Sequence, residues 1–384
     1  MYKVHYKLSI GDWMVNSQDD LRTEFITLEL NHSTNLPADT CRISIYAPPA
    51  PQPGLLEQAV SAAASALGFG NEEKEESFSI QVRGKAIKQG DRLTVELTAG
   101  DRSGKVMTAD VQSIESSFGQ TKIVGTTGKQ KLASTRINQV YENQTLRQIV
   151  ENLSRQAEVE TGEIETGSSY PYFIAHESKN LLKHICELAM RDGLDAYFDT
   201  DNKLTLKKFN KSNPDHTFYF GIDILDLRIS HYPVAGDPIL VYGESPASQQ
   251  GADTWHWIAK DLSPFQSEVG QGKRTLSLQD GTIRTKDAAD RLATSKFGAI
   301  KDYSTWGQMK ILGNPKVKLA DAIEIKNAQK PELNGLFKVI SVGHVFNKQQ
   351  GYLTFIGFTG QGGAEKAGNL LNQLAGKLAG ALGL

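Results

Sequence analysis

The sequence between residues 280 and 360 constrains the fold of this chain more than any other part, because strand and turn patterns alternate there around one helix. The pattern predicts a helix over 285–299, followed by strands at 304–312, 322–326, 335–347 and 351–359. Glycine, proline and asparagine residues mark the turns between these segments. The region shows no motif of reaction chemistry, so it predicts a scaffold rather than a reaction centre.

Short strands are also predicted throughout the first third of the chain. In residues 22–31 the apolar side chains of Ile26, Leu28 and Leu30 alternate with polar ones, as in a strand with one buried face. Further strands are predicted at 3–10, 40–46, 77–82, 92–98, 106–114 and 122–126. Together they predict a closed or nearly closed antiparallel barrel. A proline-rich run, an alanine-rich helix pattern and a charged run predict an insertion at about 47–76.

Helix patterns replace the strand patterns near residue 136. Thr145 is a candidate cap for a first helix, and a second helix is predicted to begin at Ser178 and to be closed by Gly193. A hairpin is predicted at 196–206. These elements predict a small α/β domain, and from residue 217 the pattern returns to strands.

The predicted fold class is therefore mainly β with an α/β insert: two tube-like antiparallel β-barrel domains flank a small α/β domain. The predicted domains are 1–135 for the first barrel, 136–212 for the α/β domain, 213–360 for the second barrel and 361–384 for an amphipathic C-terminal tail. The two barrel segments share no sequence repeat that can be aligned.

Composition excludes several classes of function. The net charge of the 384 residues is −2, which argues against gripping phosphates, so sequence-specific nucleic-acid binding is not expected. No apolar run predicts a membrane span, and no signal peptide pattern is found at the N-terminus. Cys41 and Cys186 lack metal-ligand spacing, and two buried thiols are a simpler interpretation than a disulfide.

One aromatic motif is a candidate binding surface. Trp255 and Trp257 share one face of a predicted strand, where a sugar or a base could stack. A half-buried aromatic pair in a sheet or a subunit contact is the commoner explanation. The motif around Ser245 (GESPA, residues 243–247) lacks the final glycine of a nucleophile elbow. His176 and His184 are not spaced like a zinc-binding pair. No enzyme activity, catalytic residue, cofactor or metal ion is expected.

The tail is a second candidate interface. Ala367, Leu371, Leu374 and Leu378 follow one another at 4-3-4 spacing, which gives an apolar seam on a helix too short to be stable alone. Three alternatives stay open: docking on the chain itself, association with neighbouring copies or a partner, and contact with a membrane.

The order of segments in residues 280–360 resembles the late control D family, the baseplate hub of contractile phage tails. It is also similar to the N-terminal hub part of type VI secretion spike proteins. The segments that carry the resemblance are 287–293 (DAADRLA), 309–315 (MKILGNP), 319–325 (LADAIEI), 335–344 (GLFKVISVGH) and 351–354 (GYLT). In the other domains, 177–193, 202–206 (NKLTL) and 90–95 (GDRLTV) also match. The resemblance covers about residues 1–360.

The resemblance implies a structural hub that is not an enzyme. It implies a homotrimer whose six barrels form a pseudo-sixfold ring, which adapts a hexameric inner tube protein to a trimeric spike protein beside other baseplate proteins. It further implies assembly in the bacterial cytoplasm and a place in a virion or extracellular injection particle. Because no spike domain pattern follows residue 360, the spike is expected to be a separate chain.

Several alternatives to the interpretation as a phage tail hub stay open. Phage tails, tailocins, extracellular injection systems and type VI systems share the hub core, so a type VI secretion hub lacking its needle is the first alternative. A cell-wall glycan-binding or hydrolysing tail protein is the second, and it rests on Trp255 and Trp257. The insertion at 47–76 and the tail at 361–384 depart from the family core, and the resemblance assigns them no role.

Overall fold

The computed structural model describes residues 3–18, 25–46, 79–82, 85–117, 119–209, 211–233, 237–243, 266–281, 283, 285–347 and 349–360. The first strands are β1 (Val4–Ile10), β2 (Trp13–Asn16), β3 (Phe25–Ser33), β4 (Thr40–Tyr46), β5 (Ser79–Val82), β6 (Lys85–Lys88), β7 (Arg92–Ala99), β8 (Arg102–Ser117) and β9 (Gln120–Thr126). The middle strands are β10 (Gln139–Thr145), β11 (Thr161–Ile164), β12 (Ser169–Ala175), β13 (Asp195–Phe198) and β14 (Leu204–Lys207).

The remaining strands are β15 (His216–Tyr219), β16 (Ile224–His231), β17 (Asp237–Tyr242), β18 (Gln266–Arg274), β19 (Leu276–Gln279), β20 (Thr305–Leu312), β21 (Ala322–Lys326), β22 (Gly335–Asn347) and β23 (Gly351–Gly360). The helices are α1 (Gly128–Ser134), α2 (Leu146–Gln156), α3 (Leu181–Arg191) and α4 (Lys286–Tyr303), with a 3-10 turn at Pro331–Leu333. Strands dominate the described residues, which confirms the prediction of a mainly β fold.

Seven strands form the first β unit, in the spatial order β2–β1–β7–β8–β9–β4–β3, and every neighbouring pair is antiparallel. Alternation fixes their inner face: Leu93, Val95 and Leu97 of β7 are fully buried, and the residues between them are not. Trp13 on β2 and Leu28 on β3 come from opposite ends of the strand order and belong to the same apolar core. The sheet therefore curves around this core.

Six strands form the second β unit, in the order β16–β20–β23–β22–β21–β15. Its core includes the aromatic pair Phe337 and Phe358, whose ring centroids are 4.8 Å apart. A single bridge between Phe220 and Ile224 links the last strand back to the first. The described residues thus form a six-stranded sheet whose two edge strands, β15 and β16, are connected only through this bridge.

The two β units are one continuous sheet, which the sequence did not predict. The start of β22 pairs with β21, and its residues 341–346 pair with β3, so Val342 lies opposite His32 and His344 lies opposite Leu30. β22 therefore belongs to both units. The resulting path of strands runs without a break from β2 to β16.

The α/β unit lies between the two β units in the sequence and has a core of its own. Helices α2 and α3 pack with the β10–β12 ribbon and the three-stranded sheet β11–β14–β13. Thr145 caps α2 in a capping box with Gln148, as its sequence indicated. The cap of α3 is Asn180, whose side chain accepts from the backbone N–H of Lys183. The helix therefore begins at Leu181, three residues after the predicted start at Ser178.

A third sheet, β18–β17–β19, packs against α4 and encloses another core around Ile239, Val241 and Leu292. The sequence analysis grouped these residues with the second barrel. In the structure these residues form a separate layer that contacts the α/β unit. At this contact the hydroxyl of Ser295 on α4 donates to the carbonyl of Met190 on α3. Arg191 and Asp280 form a half-buried ion pair of 2.8 Å at the same contact.

The two cysteines are free thiols in different environments. Cys41 is fully buried in the first core, as predicted. Cys186 is exposed, which corrects the prediction of a second buried thiol. It occupies the side of α3 away from Ile185 and Leu188, which face the core.

Candidate functional site at the junction and the sheet edges

A buried charge pair anchors α1 beneath the first β unit. The ammonium of Lys129 donates to the carbonyl of Ser33 and lies 3.4 Å from Oδ1 of Asp39. Asp39 is completely buried and also accepts from the backbone N–H of Ser33 at 2.9 Å and from the hydroxyl of Thr127 at 3.3 Å. Both charges are therefore paired and hydrogen-bonded, the condition under which a protein interior tolerates them.

Two buried histidines lie on neighbouring strands where the β units join. Nε2 of His32 is 3.1 Å from the carbonyl of Val106, and Nδ1 is 3.8 Å from Oδ2 of Asp39. Burial lowers the pKa of His32, and Asp39 acts in the opposite direction. Nδ1 of His344 contacts the hydroxyls of Tyr352 at 2.9 Å and Thr354 at 3.2 Å. Burial, with a smaller effect from His32, lowers the pKa of His344 to about 3.

A cavity of about 450 Å³ opens beside these histidines, between the β13–β14 hairpin and the loop before β21. Lysines and aspartates line it together, and several are paired. Lys211 and Asp321 of the lining lie 3.6 Å apart. Asp195 of the lining lies 2.6 Å from Lys338 on β22, which is not itself a lining residue. In the described parts of the chain no three His, Cys, Asp or Glu side chains converge as metal ligands. The pair of Asp195 and Lys338 connects the α/β unit to the second β unit beside the cavity.

The two ends of the continuous sheet are candidate surfaces for association within the described residues. Within them, β2 has no strand partner beyond β1, and β16 has only the Ile224 bridge on its outer side. Apolar side chains are exposed at both edges: Met14 on β2 is 62% exposed, and Ile222 and Leu225 at β16 are 74% and 53% exposed. Unpaired edges with apolar side chains are templates for association.

The residues that the sequence analysis selected as interfaces lie outside the described residues. These are Trp255 and Trp257 in one segment and Leu371, Leu374 and Leu378 in the tail. The insertion at 47–76 also lies outside them. The predictions for these residues stay predictions. The edge at β16 was missed, although the run from Tyr219 to Leu225 (YFGIDIL) carries a dense apolar signal around one turn glycine.

No helix of the described chain combines the length and the apolar character that a membrane crossing requires. No protein-family model matches the chain, and no curated protein matches it in sequence.

Solved structures of tail proteins match the whole fold. A 43 kDa prophage tail protein from Shewanella oneidensis is 12% identical, with a TM-score of 0.63 over 93% of this chain and 98% of that one. A tail protein from Neisseria meningitidis is 10% identical, with a TM-score of 0.63 over 94% and 97%. An Escherichia coli type VI secretion component, described as similar to two bacteriophage T4 tail proteins, is 11% identical, with a TM-score of 0.53 over 92% and 76%.

These likenesses establish the fold. The chain has the architecture of phage tail proteins along nearly its whole length, although few residues are shared. The resemblance drawn from the sequence is therefore confirmed at the level of fold.

Proposed function

We propose that this chain is a structural hub of a phage tail or a related contractile injection particle, and that it is not an enzyme. The observation that carries the proposal is the continuous sheet, in which β3 and β22 join two β units within one chain. The likeness of the fold to prophage tail proteins supports it. The buried polar groups at the junction are paired with one another, which suits a rigid joint.

The two free edges give a physical route to a ring. An edge of one copy that meets the opposite edge of the next copy makes a head-to-tail contact, and such contacts close into a ring when the rotation permits. Three copies with two β units each would present six similar units. A homotrimer of this kind would match a hexameric inner tube protein on one side and a trimeric spike protein on the other.

The proposed setting follows from these partners. The chain would assemble in the bacterial cytoplasm with tube, spike and other baseplate proteins, and would then remain in the virion or injection particle. A type VI secretion hub lacking its needle is a second candidate. It is favoured by the likeness to the Escherichia coli component, of which this chain covers 76%. Recovery of the native chain from free tails or from a cell-bound apparatus distinguishes the two.

Light scattering on a size-exclusion column tests the proposal. The purified chain, alone and with a candidate trimeric spike protein, is expected to show the mass of a trimer in at least one condition. Ile222→Asp with Leu225→Asp places charges at the β16 edge and should reduce the trimer to monomer. Val140→Asp with Ile174→Asp is the matched control, because both side chains are about half exposed on the separate β10–β12 ribbon.

The outcomes separate the ring from other arrangements. A monomer in both conditions would contradict the hub proposal. If the protein with the β16 substitutions is still a trimer, the proposal of a trimer stands, but the β16 edge is excluded as its interface.

A further inference from the structure

The cavity beside the two buried histidines has the size of a small-molecule site. Its volume is about 450 Å³, and ligand pockets typically measure roughly 300–1,000 Å³. Val106 of the first β unit, Phe198 of the α/β unit and Leu319 of the second β unit all line it. The cavity is therefore one surface to which all three units contribute.

His344 supplies a hydrogen-bond donor at the buried side of this cavity. The residue lines the cavity and is only 2% exposed. Its Nδ1 is occupied by the hydroxyls of Tyr352 and Thr354. In the tautomer in which Nδ1 accepts from these hydroxyls, the ring proton is on Nε2. Nε2 has no hydrogen-bond partner within the described residues, so it is available to an acceptor atom of a ligand.

The carboxylates of the cavity already have partners in the protein. The four lining aspartates are held as follows: Asp195 by Lys338, Asp201 by Lys105, Asp321 by Lys211, and Asp199 by the backbone N–H groups of Asp201 and Lys203. A cationic ligand would therefore have to compete with a partner that is already in place.

Two lysines of the lining are not paired in this way. Lys207 and Lys211 have carboxylate partners, but within the described residues no carboxylate lies within ion-pair distance of the ammonium groups of Lys208 and Lys318. Lys318 has only a weak electrostatic effect on the pKa of Asp201, which is set mainly by its bond to another lysine. The charges that the cavity leaves for a ligand are therefore positive.

Aromatic side chains give the cavity an apolar wall. Tyr197, Phe198 and Phe209 line it, and the ring of Phe209 also lies under the ammonium of Lys338, 5.2 Å from the ring centroid. Such rings pack well against a flat apolar body.

We propose that this cavity binds a small organic anion with a flat apolar body, such as an aryl carboxylate or an aryl phosphate. The anionic group binds Lys208 and Lys318, and the body packs against Tyr197 and Phe209. An acceptor oxygen of the ligand takes the Nε2–H of His344. The inference does not depend on the proposed hub function, since it concerns a cavity within one chain.

Calorimetric titration of the full chain tests the role of the anionic group. The probes are hydroxynaphthoate, which has a carboxylate, a flat ring system and a second oxygen, and naphthol, which lacks the carboxylate. Hydroxynaphthoate is expected to bind, and naphthol should bind about tenfold more weakly or worse, because a charge-assisted hydrogen bond is lost. Equal binding of the two probes would overturn the proposal. It would also be overturned if neither hydroxynaphthoate nor naphthyl phosphate binds at millimolar concentration.

Lysine substitutions locate the binding. Lys208→Gln with Lys318→Gln should weaken hydroxynaphthoate binding by about tenfold, whereas the protein should stay folded because both side chains are exposed. Lys183→Gln with Lys273→Gln is the matched control. It removes the same charge from two exposed lysines that do not line the cavity, and it should leave binding unchanged. An equal loss in both double variants, or no loss in the first, would overturn the proposal.

Histidine NMR tests the buried end of the cavity. In protein labelled with ¹⁵N-histidine, hydroxynaphthoate should shift the Nε2 signal of His344, which is assigned by its disappearance in His344→Gln. The signals of His231, which does not line the cavity, should stay in place. Binding that leaves the His344 signal unchanged, or that shifts both residues equally, would overturn the assignment of the ligand to this cavity.

Discussion

At the scale of single residues, His344 couples the junction of the β units to pH. Its pKa is lowered from 6.5 to about 3 by burial. Above pH 6.5 the imidazole is neutral in both the folded and the unfolded chain, and the folded state carries no penalty. Between pH 6.5 and 3 mainly the unfolded chain binds the proton, so the free energy of unfolding falls as the pH falls.

The expected loss can be measured by urea unfolding. Two pH units below 6.5, this group alone should cost roughly 3 kcal/mol of stability. Asp302 acts in the opposite direction, because burial raises the pKa of its carboxyl to about 6. The difference between the wild type and His344→Gln is therefore the quantity to measure at pH 7 and pH 4.5. Equal pH dependence in the two proteins would contradict the prediction.

At the scale of elements, the cap of α3 can be distinguished from the predicted start of that helix at Ser178. The side chain of Asn180 accepts from the backbone N–H of Lys183, three residues later. Asn180→Ala should lower the free energy of unfolding by about 1 kcal/mol. Ser178→Ala, the control at the predicted start, removes only an exposed hydrogen bond to His176 and should cost clearly less. Thermal unfolding of both variants checks the order, and a larger effect at Ser178 would refute it.

Local patterns predicted most strands because one face of each is buried. The bounds predicted for 322–326 and 335–347 match β21 and β22. β18 (QSEVGQGKR) was missed, since only Val269 among its nine residues is a strong apolar strand former. Its position depends on pairing with β17 and on packing against α4, which no local pattern reveals.

Helix α1 escaped prediction for a different reason. Its sequence (GKQKLAS) gives no apolar periodicity over seven residues, and the lysine at its second position is buried. Lys129 can be buried because Asp39, far away in sequence, supplies the opposite charge. A charge partner that is distant in sequence cannot be detected from the few residues around the helix.

At the scale of the whole molecule, the family resemblance predicted more of the fold than hydrophobic periodicity did. Segment order in the last third predicted the tail-protein fold, which the structural likeness confirms. The junction could not be predicted, because β3 and β22 are separated by about three hundred residues and their pairing is decided only by the assembled sheet. The exposed edges at β2 and β16 likewise exist only once the strand order is known.

The first β unit should fold without most of the predicted insertion. Its core is built from residues on both sides of 47–78, with Ile43 on β4 packed in the same cluster as Leu93 on β7 and Ile123 on β9. β4 pairs with β3 on one side and β9 on the other, so its hydrogen bonds need no residue from the insertion. Deleting 54–76 should therefore leave a soluble protein whose melting temperature changes by only a few degrees, because shortening a loop alters the closure entropy little.

Deletion of a core strand is the control for the deletion of 54–76. Removing 120–126 takes out β9, which lies between β8 and β4, and should abolish cooperative unfolding. Circular dichroism during heating distinguishes the two variants. If the 54–76 deletion is insoluble, or melts as broadly as the β9 deletion, residues 54–76 belong to the folded core of the first β unit and the prediction of an insertion is wrong.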